Sequence, residues 1–175
     1  MNNETPTNRR KTQLLVVALL MLTLPVAHYL WNASGPQPRI DANLKLQPTD
    51  GAMQSWSELR GRPLVVSFWA TSCVICMHEL EDWKAFYSEQ QGGLRFELIA
   101  VAMSHDRPDD VIKVQRSQDL NYPVYFDLTQ DIAQAFGGVI ATPSVFVIDR
   151  DGTVVERFIG RVDFDRLRQE LDQLV

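Results

Sequence analysis

The chain has few of the residues that form disulfides or bind metals in small proteins: its 175 residues include only two cysteines and three histidines. A structural zinc site usually takes two cysteine pairs, or one pair and two histidines at finger-like spacing. His78 and His105, the histidines outside the N-terminal apolar segment, lack that spacing. The formal charge is −5, and no basic patch interleaved with aromatics follows the first eleven residues. These absences argue against a zinc module and a nucleic-acid binder.

What is present is typical of a globular domain. The hydrophobic content is 45% and the charged content is 22%, which together support one ordinary domain with its own core. The chain contains no internal repeat and no low-complexity tract.

The N-terminus predicts a membrane anchor. A polar segment, residues 1–13, carries the basic cluster 9–11 and precedes an apolar run over 14–31. At helical rise this run spans about 27 Å, close to the hydrocarbon thickness of a bilayer. Basic residues before such a run favour a cytoplasmic tail and export of everything after it. We therefore expect residues 14–31 to be an uncleaved, single-pass transmembrane helix, a signal anchor.

A cleaved signal peptide is the alternative for this segment. The nearest small-residue cleavage site is 33–35, but Pro36 follows it directly and is unfavourable for cleavage. Both readings place the rest of the chain outside the cytosol, where disulfides persist. Residues 32–39, which include two prolines and a glycine, are expected to form a linker to a domain over 40–175.

Both cysteines lie at a predicted strand-to-helix junction. Cys73 and Cys76 follow the apolar β-type run 64–69 and open a predicted helix over about 73–90. Unpaired N–H groups at a helix N-terminus stabilise a thiolate there, and the second cysteine lies within reach to close a disulfide. A purely structural disulfide is the alternative, but so small a loop removes little chain entropy. The spacing favours a redox pair in which Cys73 attacks and Cys76 resolves.

The rest of the domain alternates strands with helices, which predicts parallel β-α-β crossovers. Residues Leu80, Trp83 and Phe86 recur at helical spacing and are expected in the core. The turn chemistry of 149–152 adds an antiparallel hairpin, so the predicted architecture is a three-layer α/β/α domain with a mixed sheet. Its predicted elements are strands over 95–103, 123–126, 144–148 and 153–159, helices over 109–119 and from a Thr129 cap to Gly137–Gly138, and a last helix capped by Asp163.

Several motifs in this order resemble the thioredoxin superfamily: Phe68-Trp69-Ala70, the Cys73/Cys76 pair, Thr142-Pro143 and a terminal hairpin and helix. The match covers about 40–175. More narrowly, the chain resembles the TlpA/ResA group of membrane-anchored thiol-disulfide oxidoreductases, because of the anchor, Thr71 after the aromatic motif, an extra helix-strand pair over 109–126, and a glutamate three residues past the second cysteine.

The resemblance assigns roles to residues beside the cysteines. It implies that Glu79 takes or relays the proton of Cys76, and that Pro143 follows a cis peptide bond. The backbone of Thr142 would then pair with an extended substrate segment. We also expect substrate contacts from Trp69 and from the two residues between the cysteines, Val74 and Ile75.

The sequence also departs from thioredoxin itself. Ser67 stands where thioredoxin carries a buried aspartate, and Ser72 replaces the tryptophan before the first cysteine. The residues between the cysteines bring neither charge nor histidine, so the helix terminus is the thiolate stabiliser visible in the sequence.

The expected function is an enzyme that exchanges its dithiol with client proteins and needs no metal or organic cofactor. By resemblance, its clients include apocytochrome c and copper chaperones for oxidase assembly, and a membrane thiol transporter supplies the electrons. The expected location is the bacterial inner membrane, with the catalytic domain on the periplasmic side.

Two other functions remain open from the sequence. A copper carrier could combine the soft thiol pair with His78 or His105. A peroxiredoxin-type peroxidase needs a threonine three residues before its reactive cysteine, where this chain has Ala70.

Overall fold

The computed structural model describes residues 39–90 and 96–175, whose strands hydrogen-bond into a seven-stranded sheet. None of the helices within these residues has the length and apolarity to cross a membrane. The tail, the anchor and most of the linker predicted above lie outside the described residues. The strands are β1 (Lys45–Pro48), β2 (Gln54–Ser55), β3 (Leu64–Trp69), β4 (Glu97–Ala102), β5 (Val124–Phe126), β6 (Ser144–Ile148) and β7 (Val154–Ile159). The helices are α1 (Val74–His78), α2 (Leu80–Gln90), α3 (Pro108–Ser117), α4 (Asp131–Ala135) and α5 (Phe164–Asp172), with a 3₁₀ turn at Trp56–Leu59.

The strand order is β2-β1-β5-β4-β3-β6-β7, with β3, β4 and β5 parallel and the other pairings antiparallel. Strand β3 lies inside the sheet, where Val66 pairs with Ile99 of β4 and with Phe146 of β6. All six of its residues are buried, which explains their continuous apolar pattern. The predicted α/β architecture with a mixed sheet is confirmed.

Alternate residues of β3 enter two separate cores. Val65 and Trp69 pack with Trp83 and Phe86 of α2 on one face, together with residues of α3 and α5. On the opposite face, Phe68 packs against α4 and the 3₁₀ turn. Helices therefore cover both faces, as the three-layer prediction requires, and all three predicted core residues of α2 are buried.

The single helix predicted over 73–90 is wrong, because it is broken at Glu79. The N–H of Glu79 is shared between the carbonyls of Ile75 (3.1 Å) and Cys76 (3.2 Å). The Glu79 carbonyl then accepts from Trp83 N–H at 2.9 Å, which opens α2. The break involves neither proline nor glycine, the usual sequence signals of a kink.

The cap predicted at Thr129 is also wrong. The Asp127 carboxylate accepts the N–H groups of Ile132 (3.0 Å) and Ala133 (2.8 Å) at the start of α4. The Thr129 hydroxyl instead donates to Asp131 Oδ2 at 2.6 Å. Asp127 and Thr129 are both residue types that cap helices, and the buried Asp127 is the one that binds the free N–H groups of α4.

The C-terminal predictions are confirmed. Gly152, with φ +85°, closes the β6–β7 turn by donating its N–H to the Asp149 carbonyl. Asp163 caps α5 by accepting the Arg166 N–H at 3.0 Å. The carboxyl ends of β3, β4 and β5 and the amino end of antiparallel β6 meet at one edge of the sheet. The cysteines follow β3 at this edge.

Candidate active site

Cys73 and Cys76 form a disulfide in the structure. Cys73 is the extended N-cap residue of α1, and its Sγ accepts the N–H of Cys76 at 3.2 Å. Cys73 is half-buried, whereas only 3% of Cys76 is exposed. An incoming disulfide can therefore reach the sulfur of Cys73, whereas that of Cys76 is shielded.

The helix that follows Cys73 has five residues instead of the longer run predicted. This change does not remove the expected stabilisation of a thiolate, because the helix-end effect acts within the first turn. The Cys76 N–H already points at Cys73 Sγ, and hydrogen bonds from backbone N–H groups favour negative charge on their acceptor.

Asp106, in the loop after β4, holds the chain segment that precedes the cysteines. Its carboxylate accepts the Thr71 N–H at 2.7 Å and the Thr71 hydroxyl at 2.9 Å. The Cys73 N–H donates in turn to the Ala70 carbonyl at 3.0 Å. These bonds hold the short turn between β3 and α1, so that Cys73 is presented at a defined position. No sequence motif marked Asp106, because its partner lies 35 residues away.

Glu79 is almost completely buried, with 1% of its surface exposed. Its Oε1 accepts the N–H of Val162 at 2.8 Å. Burial raises the pKa of the Glu79 carboxyl above its ordinary value, and this outweighs the opposing effects of the Val162 hydrogen bond and the Arg161 charge. A buried carboxylate with a raised pKa is a suitable proton acceptor at neutral pH.

Several of the predicted site residues line one small cavity beside Cys76. The volume within which the centre of a water molecule fits is about 10 Å³. Ser67, at the position of thioredoxin's aspartate, lies in this wall, so the carboxylate that reaches the cavity comes from the helix break and not from β3. The walls include Ser67, Trp69, Cys76, Glu79, Tyr122 and Pro143.

The structure separates the predicted substrate-contacting residues into two groups. Trp69 is 4% exposed and forms part of the cavity wall. Val74 and Ile75 are 68% and 38% exposed beside Cys73. The peptide bond between Thr142 and Pro143 is cis, as the resemblance implied.

The described residues place no cluster of metal ligands around the thiol pair. Among residues 39–90 and 96–175, no group of three or more histidine, cysteine or acidic side chains is arranged to hold a metal ion. His78 and His105 are both exposed. No contact in the described part of the chain favours the copper-carrier alternative.

Known proteins resemble this chain in sequence and in fold. The chain matches the Redoxin family over residues 33–173. It is 28% identical to the thiol-disulfide oxidoreductase ResA of Bacillus subtilis over 152 residues, which cover 81% of each chain. It is also 28% identical to ResA of Bacillus anthracis over 134 residues, or 75% of each chain. The solved structure of the exposed lipoprotein thioredoxin of Streptococcus pneumoniae is similar with a TM-score of 0.68 and 26% identity, covering 76% of this chain and all of the other.

The fold and the paired cysteines define a thiol-disulfide oxidoreductase. The chain belongs to the Redoxin family, and within the thioredoxin superfamily it is a TlpA/ResA-like protein. The sequence did not predict three features of the site: the hydrogen bonds of Asp106 to Thr71, the hydrogen bond from the Val162 N–H to Glu79, and the place of Tyr122 in the cavity wall. Each is brought to the site by tertiary packing and has no local sequence signal.

Proposed function

We propose that this oxidoreductase reduces disulfides of client proteins outside the cytoplasm, with Cys73 as nucleophile and Cys76 as resolving cysteine. One observation carries the assignment. The disulfide joins half-buried Cys73 to buried Cys76, and Cys76 lines the same cavity as Glu79.

The reaction begins with the dithiol form. The Cys73 thiolate attacks a client disulfide, forming a mixed disulfide and releasing one client sulfur as a thiolate. Cys76 then loses its proton to Glu79 and attacks Cys73 Sγ. The bond between Cys73 and the client breaks, and its electron pair leaves with the second client sulfur. Two electrons have passed to the client, and the Cys73–Cys76 disulfide has formed.

Client recognition would use the backbone and the apolar surface around Cys73. The half-buried Thr142 precedes the cis proline and would pair with an extended client segment. Val74 and Ile140, 68% and 95% exposed, are apolar side chains in the segments around that pairing site. A client residue next to the reacting cysteine must lie over this surface, so apolar flanking residues would be favoured.

The cellular role follows from the predicted anchor and the family resemblance. Residues 14–31 would hold the protein in the bacterial inner membrane, with the catalytic domain in the periplasm. Electrons would come from a membrane thiol transporter. The clients we propose are apocytochrome c, with cysteines that attach heme, or a copper chaperone for a respiratory oxidase. The resemblance to the TlpA/ResA group supports this proposal.

Trapping tests the proposal directly. In cells, Cys76→Ser should accumulate mixed disulfides through Cys73, because the resolving thiol is missing, and mass spectrometry of the captured partners identifies the client. Cys73→Ser is the matched control and should capture little. Equal trapping by the two variants would contradict the assignment of attacking and resolving cysteines. A membrane-impermeant thiol reagent should label Cys73 of the reduced protein in cells with a permeabilised outer membrane, whereas protection there would contradict the proposed compartment.

A further inference from the structure

Two buried polar atoms on residues that line the cavity have no hydrogen-bond partner among the described residues. Glu79 Oε2 and Trp69 Nε1 are both buried and form no hydrogen bond within residues 39–90 and 96–175. Their parent side chains are 1% and 4% exposed. Leaving a buried donor or acceptor unpaired forfeits its hydration without replacing it, which destabilises the fold. The two atoms are a donor and an acceptor, yet they do not bond to each other.

The cavity has the size and the chemistry for one water molecule. Trp69, Glu79 and Cys76 all line it, and its volume is about 10 Å³ for the centre of a water molecule. A single water requires about 10–15 Å³ by this measure, together with two to four polar partners. The indole N–H supplies a donor, the Glu79 oxygen an acceptor, and the Cys76 thiol a third partner.

We propose that one water molecule in this cavity accepts the indole N–H of Trp69, donates to Glu79 Oε2, and relays the proton of Cys76 to Glu79. Trp69 is then a positioning residue for the resolution step. This inference rests on the proposed function, in which Cys76 resolves the mixed disulfide.

The relay balances without another reactant. The Cys76 S–H gives its proton to the water, and the water gives a different proton to Glu79 Oε2. The resulting thiolate attacks Cys73 Sγ, and the electron pair of the broken bond leaves on the client sulfur. The Val162 N–H holds Glu79 Oε1 at 2.8 Å, which leaves Oε2 as the oxygen available to accept from the water.

Two other charged side chains act on the Glu79 carboxyl. Arg161, next to Val162, favours the ionised carboxylate, whereas Asp82 on α2 opposes it. Tyr122 lies in the cavity wall, and burial raises the pKa of its phenol, so it stays neutral through the neutral range. The difference between the pH profiles of wild type and Glu79→Gln therefore isolates the contribution of Glu79.

Stopped-flow reaction with a chromophoric aromatic disulfide separates the two chemical steps in the reduced full-length chain in detergent. The first release of the coloured thiol reports attack by Cys73, and the second reports resolution by Cys76. Trp69→Phe keeps an aromatic ring but removes the N–H. The matched control is Trp56→Phe, which alters a 1%-exposed tryptophan in the core on the other face of the sheet.

Trp69→Phe should slow the second release about 10- to 100-fold, at or below the lower end of acid–base contributions, and should raise the apparent pKa of that step. The first release should change less than about twofold, and Trp56→Phe should leave both phases near wild type. In a Glu79→Gln background, Trp69→Phe should add little further slowing, because the two residues act on one relay.

Three outcomes would overturn the inference. They are equal slowing by the two tryptophan variants, an unchanged second phase in Trp69→Phe, and an undiminished Trp69→Phe effect in the Glu79→Gln background. An absent first phase in the wild type, or one that survives in Cys73→Ser, would instead contradict the proposed function itself. Indole N–H resonances add a check that does not rely on reaction rates. The Trp69 signal, assigned by its loss in Trp69→Phe, should shift with pH in the wild type and not in Glu79→Gln.

Discussion

Replacing Glu79 by glutamine should make the stability of the oxidised protein less dependent on pH. Burial raises the pKa of this carboxyl in the folded chain above its ordinary value of 4.5. The folded state therefore retains a proton that the unfolded state has already lost. By linkage, stability is fully present below about pH 4.5 and is lost as pH rises through the folded pKa.

The magnitude follows from the burial of the group. Glu79 is only 1% exposed, so solvent screens its charge weakly, and a tenfold change in its proton affinity on folding corresponds to about 1.4 kcal/mol. Glutamine keeps the oxygen that accepts the Val162 N–H but does not titrate. The difference in unfolding free energy between Glu79→Gln and wild type should therefore grow in favour of the variant as pH rises. Between the pKa values of the unfolded and folded states, the growth should be about 1.4 kcal/mol for each pH unit.

The assay is denaturant unfolding of the oxidised full-length chain in detergent between pH 4.5 and 8, followed by tryptophan fluorescence. Oxidation removes both cysteine titrations. Asp127 also has a raised pKa caused by burial, but it is present in both proteins and cancels in the difference. Parallel pH curves for wild type and Glu79→Gln would refute the burial argument.

The remaining predictions concern contacts that hold the elements in place. Asp127→Ala should lower the unfolding free energy by about 1–2 kcal/mol because α4 loses its cap, whereas Thr129→Ala should cost under about 0.5 kcal/mol; similar losses would contradict the assigned cap. Asp106→Ala should cost about 1–3 kcal/mol by removing both hydrogen bonds to Thr71, and an unchanged denaturation midpoint would show that this contact is dispensable. Asp163→Ala should lower the unfolding free energy by about 1 kcal/mol because α5 loses its cap. An unchanged denaturation midpoint would show that packing alone holds α5.

Strand β3 and the cysteine pair were readable from the sequence because their signals are local. A strand buried on both faces needs a continuous apolar run, and residues 64–69 supply one. The β6–β7 turn needs a residue with positive φ, and Gly152 adopts it. In each case neighbouring residues contain the whole pattern.

The helix break and the environment of Glu79 were not readable in this way. The carboxylate is held by the N–H of Val162, 83 positions along the chain, and a backbone N–H leaves no mark in the residue pattern. Trp69 was expected among the substrate contacts. Its position in strand β3 instead directs it into the core behind them, and only the packed fold shows this.

Alkylation of the reduced full-length chain tests the central claim most directly, because that claim assigns opposite exposures to the two sulfurs. A short pulse of iodoacetamide at neutral pH, followed by peptide mass spectrometry, gives the labelling rate of each cysteine. We expect Cys73 to react first and Cys76, which is 3% exposed, to react much more slowly. Equal labelling, or faster labelling of Cys76, would contradict the assignment of attacking and resolving sulfurs.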